Sequence, residues 1–513
     1  MQLVKVHTLT VLCVLAAGLW STPAQAGGYE FSSLGTKPLG RGGAVRARPD
    51  EIHSLLYNPA NLAALSGMQL QLGSSLAFMS GCYTRSSTPA NNVSDGFQGG
   101  EETVFDPAVV DDPATAPGWP SVCNDGPPVP LPTLLFAARV NPWLGIGGGL
   151  LVPNAVGITS WAESGIVNVG GTDVPAPNRY MLLDENIIVL YPSIGAGIQV
   201  MPGLRLGATL QWGMAFVDFT NHTAIVGGQN PAQDTRTTLS VKDLFMPGVI
   251  LSAQATPHEN FDVAFTFRWL DDVDAGGTID FETGTYGDGA TVSPRKTTIE
   301  GAGFDAPLPW SAALALRYAD RIAPRPEDPS EVERLSGRVE DEMANERWDI
   351  ELDVVYEANS AVESFDITVP AGSEVALPDG TPIPITGPND KVFSLPHRWK
   401  DQWTFHLGGD YNVLPGLAAL RLGLSMETRG WDKAYAQLDF MPALRFGVHG
   451  GLTIRLGRFD VSMAYAHIFQ ETTQVSSSAA YPQLTSLPPA DVINAGTYEA
   501  DFDVLALGVT WHL

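Results

Sequence analysis

Asp503-Val-Leu-Ala-Leu-Gly-Val-Thr-Trp-His-Leu513 ends the chain, and its reading decides the fold. Leu505, Leu507, Val509, Trp511 and Leu513 fall on one side of an extended chain. Val504, Ala506, Gly508, Thr510 and His512 fall on the other. Side chains alternate faces along a strand, so one face is large and apolar and the other small or polar. Chain ends fray unless a sheet ties them down. A final strand with large apolar residues to its last position therefore predicts a closed barrel.

The same period recurs upstream. Met68, Leu70, Leu72, Leu76 and Phe78 share a face. Leu204, Leu206, Leu210, Trp212, Met214 and Phe216 oppose Arg205, Gly207, Thr209 and Gln211. Phe261, Val263, Phe265, Phe267 and Trp269 oppose Asp262, Ala264, Thr266 and Arg268. Ile350, Leu352, Val354 and Tyr356 oppose Asp349, Glu351 and Asp353. The non-apolar face mixes Arg and Asp with many glycines, which fits a wet, partly filled lumen with the large face toward lipid. No stretch beyond the N-terminus approaches the roughly 18 uninterrupted apolar residues of a spanning helix. A membrane protein of this kind must cross with strands.

Connections point the same way. Tight turns at 141–142, 201–203, 257–259, 414–416 and 457–458 alternate with long polar loops. The loops run 80–131, 153–186, 220–242, 271–307, 359–398, 428–440 and 471–498. Short inner turns and long outer loops are the outer-membrane pattern. The fold class is all-β: a transmembrane antiparallel β-barrel of about fourteen strands with a small helical plug. One charged segment, 321–346, is long where a short turn belongs.

The chain has 513 residues and a formal net charge of −27. Mean hydropathy is +0.03. Nucleic acid is not an expected partner, because phosphate binding needs a basic surface. Clustered loop carboxylates are a candidate for divalent cations, but no specific metal site is assigned. Lys5 and His7, the apolar run Leu9–Leu19 and Ala24-Gln25-Ala26 read as a secretory signal peptide over residues 1–26. Export places Cys82 and Cys123 in an oxidising compartment, which predicts one loop disulfide.

Residues 27–67 have no two-residue period and are too few for a core of their own. Pro49-Asp50-Glu51 opens an expected short helix carrying Ile52, Leu55 and Leu56. Asn58 is the expected cap of a second turn, with Pro59 at its first position.

Leu39-Gly-Arg-Gly-Gly-Ala44 and Leu56-Tyr-Asn-Pro-Ala-Asn61 resemble the N-terminal hatch of the FadL-type outer-membrane transporters. Asn58, Pro59 and Ala60 match that family's hatch motif. Gly496-Thr-Tyr498 and the segment Trp399 through Tyr411 are also similar to it. The departures are Leu513 in place of a terminal aromatic, longer loops and the 321–346 segment. The resemblance implies a signal peptide over 1–26, a hatch over 27–67 and a barrel over 68–513. It implies passive uptake of long-chain fatty acids or aromatic hydrocarbons by a monomer in outer-membrane lipid, without a cofactor.

Candidate sites follow. Asn58-Pro59-Ala60 is the expected gate. Gly147, Gly148 and Gly149 mark an expected bend, and the resemblance implies a kinked third strand that opens the wall sideways. Ligand capture is expected at Leu151, Val152, Val156, Ile158, Trp161 and Ile225. The inward Arg205, Arg268, Arg421 and Arg445 are candidates for holding a carboxylate head group, or for pairing with inward acids. A general porin for hydrophilic solutes is an alternative that a plug disfavours. An outer-membrane phospholipase is another; His406, His449, His467 and His512 are present, but no nucleophile motif accompanies them.

Overall fold

A computed structural model describes residues 33–65, 67–86, 119–153, 157–169, 172–224, 234–284, 294–322, 341–377, 379–476 and 493–513. The 1–26 leader, residues 27–32, Val156, Ile225 and residues 323–340 lie outside the described residues.

Among the described residues, fourteen antiparallel strands form the wall. They are β1 (Met68–Arg85), β2 (Val129–Asn141), β3 (Leu144–Leu151), β4 (Asp184–Met201) and β5 (Leu204–Ala224). Then come β6 (Asp234–His258), β7 (Phe261–Leu270), β8 (Ser311–Arg321), β9 (Glu346–Glu357) and β10 (Gln402–Leu414). The set ends with β11 (Ala418–Glu427), β12 (Arg445–Leu456), β13 (Phe459–Gln470) and β14 (Gly496–His512). Leu72 of β1 pairs with Leu134 of β2 on one side and with Val509 of β14 on the other. The sheet is therefore closed, and the terminal strand is paired along its length.

The alternation sorts two environments. Leu72, Leu210, Phe265, Leu314 and Leu507 point outward and are exposed, and Leu422 is 75% exposed. An apolar belt of this extent has no place in water; it is the lipid-facing surface. Trp310, Tyr356 and Trp403 stack at the long-loop end. Tyr318 packs on Trp348, and Phe459 on Trp511, at the short-turn end. These are the two interfacial girdles.

The plug lies inside. It comprises α1 (Thr36–Gly40), α2 (Ser54–Tyr57) and a 3-10 turn, Pro59–Ala64, all buried. No helix opens at Pro49. Asp50 pairs with Arg48 and Glu51 with His53, so the acids serve ion pairs rather than a helix dipole. Asn58 is not a side-chain cap either; its amide is used elsewhere.

The inward glycines are not lining a wet lumen at this level; they make room for the plug. A Cβ on Gly408 would lie 2.0 Å from the Arg41 carbonyl oxygen. One on Gly207 would lie 2.1 Å from the Ala60 nitrogen, and one on Gly145 1.9 Å from the Leu62 carbonyl oxygen.

The long loops carry structure of their own. The expected loop 220–242 is mostly strand, because β5 and β6 run on as a tall ribbon. Above the girdle, Thr235–Lys242 of β6 pairs with Val273–Thr283. That strand pairs with Arg295–Ala306, then Ser364–Val369, then Lys391–Pro396. This second sheet stands on the loop side.

Cys82 and Cys123 are disulfide-bonded across facing positions, with Cα atoms 4.0 Å apart. Their separation of 41 residues gives about 4 kcal/mol of stabilisation in the chain-entropy picture. Reduction should lower the urea midpoint of the folded barrel without changing its secondary structure. An unchanged midpoint after verified reduction would count against that contribution.

Candidate functional site: a plugged lumen below apolar chambers

Strand β9 places Asp349, Glu351 and Asp353 on one inward face, two residues apart. The plug segment 41–48 lies against this ladder of acids. Arg41 is fully buried. Its guanidinium grips Asp349 with two hydrogen bonds of 2.9 Å. It also donates to Asp410 at 2.6 Å and Glu351 at 3.1 Å. Arg48 reaches Asp349 and Asp410, each at 3.3 Å. Arg46 reaches Asp353 at 3.3 Å. Backbone amides join in: Ala47 donates to Glu351 at 2.6 Å, and Val45 to Asp353 at 3.2 Å. Arg317 of β8 closes the cluster on Asp349, Asp262 and Glu346.

The sequence Gly-Arg-Gly-Gly makes this possible. Gly42 and Gly43 adopt φ of 65° and 89°, where a side chain is strained. A Cβ on Gly42 would lie 2.9 Å from the Leu424 nitrogen. The bend carries Arg41 against the wall. His406 Nδ1 donates to the Gly42 carbonyl at 2.6 Å. Burial opposes the charge on Arg41 and Arg48, but the facing carboxylates outweigh it and hold both guanidinium pKa values above the usual arginine range.

Asn58 is fully buried. Its amide donates to the Arg46 carbonyl at 2.6 Å and to Gln254 of β6 at 2.9 Å. Ala60 donates its backbone N–H to Ser252 at 2.9 Å. The Asn58-Pro59-Ala60 stretch thus joins the plug to itself and to the wall.

Among the described residues, the cavities above the plug include a lower, a middle and an upper one. The lower, of about 620 Å³, is lined by plug residues Arg46, Leu56 and Tyr57 and by Arg268, Glu357 and His406. The middle, of about 520 Å³, is apolar, lined by Val189, Tyr191, Val217, Phe304, Phe365 and Phe440. The upper, of about 430 Å³, is lined by Phe219, Leu239, Ile279, Ile367, Phe393 and Leu395. Strand β5 gives the order, since Phe219 and Thr223 line the upper chamber and Ala215 and Val217 the middle one. Arg268 lies over the Tyr191 ring at 5.4 Å, between the middle and lower chambers.

No protein-family model and no curated protein matches this chain by sequence. Solved structures do match. A FadL homologue of Pseudomonas aeruginosa aligns with a TM-score of 0.66 and 16% identity, over 95% of this chain and 100% of the other. The toluene transporter TbuX of Ralstonia pickettii gives 0.57 and 12%, over 94% and 99%. The toluene transporter TodX of Pseudomonas putida gives 0.58 and 13%, over 96% and 99%. The fold is that of the FadL-type barrels.

Within this FadL-type barrel the sequence-derived residues are placed as follows. Gly147, Gly148 and Gly149 sit in an unbroken ladder, paired with Ala137, Phe136 and Leu135 on one side and Gly195, Ile194 and Ser193 on the other. The wall is closed there. Instead of marking a gap, Gly147 accommodates Leu62 of the plug, which a Cβ would meet at 3.1 Å. Leu151, Val152 and Trp161 are buried in packing, and Ile158 pairs with Asn186 at the rim. None of these four lines the chambers; their neighbours Pro153 and Gly157 do. Three of the four lumen arginines are bound into wall and plug. Arg205 donates to Asn61 at 3.2 Å, Arg421 lies 3.1 Å from Asp410, and Arg445 lies 3.4 Å from Glu427. Arg268 donates to Gln211 at 2.9 Å and also faces the lower chamber.

The four histidines weighed for catalysis each have a partner. They are the Gly42 carbonyl for His406, Ser425 for His449, Asp503 for His467 and Asp460 for His512. Sequence reasoning missed Arg41 and Arg48, although Arg41 stands inside the quoted glycine motif. It also missed the chamber residues of the later loops, which have no periodic signal in common.

Two outcomes test the docking. Arg41→Met leaves buried carboxylates short of partners, which costs roughly 3–5 kcal/mol. The plug should become sensitive to protease while the barrel stays folded by heat-modifiability on gels; equal protection in mutant and wild type would refute the assignment.

The second concerns Glu51, which accepts a hydrogen bond from His53 at 2.7 Å and faces Lys37 at 3.9 Å. Burial alone would raise this carboxyl, but Lys37 and His53 outweigh it and hold it at about 2, below its ordinary 4.5. A depressed acid stabilises above its unfolded pKa and loses that contribution as pH falls through the folded one. Plug amide exchange, corrected for intrinsic rate, should stay constant from about pH 8 to about 5. It should rise only as pH falls from 4.5 to about 2. A rise confined to neutral pH would contradict this.

Proposed function

We propose that this FadL-type barrel is a passive entry port for hydrophobic small molecules in a bacterial outer membrane, with the plug as its gate. The observation that carries this reading is the row of chambers, apolar above and charged below, ending on the plug. Apolar molecules cross lipid readily, but a hydrated outer leaflet holds them back, so a capture site above the membrane helps. A ligand enters the upper and middle chambers by burying apolar surface. Its polar end, where it has one, reaches Arg268 and Arg46 in the lower chamber.

Arg46, Leu56 and Tyr57 belong to the plug, so an arriving ligand touches the gate itself. Arg46 also pairs with Asp353, and its carbonyl accepts from Asn58. A ligand that draws on Arg46 weakens the hold of the plug on β9. A small plug shift then withdraws Leu62 from Gly147 and opens a path sideways or downward. The toluene transporters that share this fold fit an apolar cargo.

Uptake of labelled oleate and toluene by cells carrying wild type or Asn58→Ala tests the reading. Loss of two buried hydrogen bonds, roughly 1–3 kcal/mol, should loosen the plug and raise uptake several-fold. Unchanged uptake removes Asn58 from the gate. Passage of sugars with no uptake of either compound by wild type would overturn the proposal in favour of a porin.

A further inference from the structure

The upper chamber lies outside the plugged lumen, in the second sheet. Its walls come from four separate stretches: Phe219 of β5, Leu239 of β6, Ile279 of Val273–Thr283, and Ile367 and Phe393 of the hairpin 364–396. Among the described residues no ionisable side chain lines it; the polar lining is Asn221, Thr223 and Thr237. The threonines satisfy one another, with hydroxyls 2.6 Å apart and each 3.4 Å from the Thr235 carbonyl. Asn221 differs. It faces Thr237 across the β5–β6 ladder and is 6% exposed. Among the described residues its side-chain amide has no hydrogen-bond partner. The amide opens onto the chamber, so a molecule resting there can pair with it.

We propose that this chamber is a binding site for a neutral hydrophobic molecule carrying one hydrogen-bonding oxygen, an alcohol or ketone of medium chain length. The oxygen meets the Asn221 amide, which donates to it. The hydrocarbon part packs on Ile279, Ile367 and Phe393. A carboxylate is disfavoured, because it would be stripped of water with no cation in the lining. Lys391 packs its ammonium 4.4 Å from the centre of the Phe393 ring and is not a lining residue. A plain hydrocarbon fits the walls but leaves Asn221 unpaired.

The site rests on the uptake reading for its purpose only; binding is measurable without transport. The test is equilibrium binding of radiolabelled 1-decanol, decane and decanoate to the full protein in detergent-free nanodiscs. One net hydrogen bond should make wild type bind decanol roughly fivefold more tightly than decane. Asn221→Leu should erase that preference and leave decane binding in place. Ile367→Trp fills the chamber and should remove the decanol preference, while hydrocarbon binding in the middle chamber persists, which checks the location by a second route. Barrel folding of each variant is verified by heat-modifiability. An unchanged decanol-to-decane ratio in Asn221→Leu would overturn the proposal. So would an undiminished decanol preference in Ile367→Trp. Decanol binding without cellular uptake would sink the transport reading and leave the site; uptake without decanol binding would do the reverse.

Discussion

Arg41, buried between Asp349, Glu351 and Asp410, is the contact on which the rest of the molecule depends. A charge taken out of water on this scale is tolerable only when its partners are close and well aimed. Arg41 without the three carboxylates would be a bare buried charge, and without Arg41 they would be left to Arg48, Arg317 and Arg421, none of which pairs with Glu351. Plug and wall therefore need each other. A hydrophobic plug could hold as firmly, but an ionic one has a defined seat: the acids of β9 are spaced by the strand period, and the arginines of 41–48 meet them one by one. The contact also ties the plug to the lower chamber, since Arg46 belongs both to the docking surface and to the chamber lining.

Outside, the constraint is reversed. The wall must show lipid nothing but apolar side chains and satisfied backbone, and a closed antiparallel sheet does both. Because side chains alternate, every residue given to lipid leaves its neighbour facing in. The inward set is then free to be acidic where the plug docks and glycine where the plug comes close. Gly207, Gly408 and Gly145 each lie beneath a plug backbone atom that any side chain would displace.

The second sheet extends this logic above the membrane. β6 is 25 residues long, far more than a bilayer needs. Its upper part finds new partners in Val273–Thr283 and, through it, in three further strands. This turns loops into walls, so the apolar chambers are bounded by hydrogen-bonded backbone.

The two-residue period was legible from Met68 onward, and it determined by itself that this is a closed barrel with its large face outward. The reason is local: a strand in lipid has no freedom to vary its outward residues, so the pattern survives in sequence. The turns at 201–203 and 414–416 were equally plain, because Pro and Gly act within a few residues. The plug was recognisable as an odd segment, and Arg41 stood in view within Gly-Arg-Gly-Gly. Its partners were in view too, as the inward face of β9. What joined them was tertiary: Arg41 and Asp349 are 308 positions apart, and no local rule pairs them. The chambers were hidden for the same reason. Val217, Phe304, Phe365 and Phe440 sit on four distant stretches and become one surface only when the loops fold into a sheet. Short-range patterning determined the wall, whereas long-range packing alone decided where the plug is held and where the apolar chambers form.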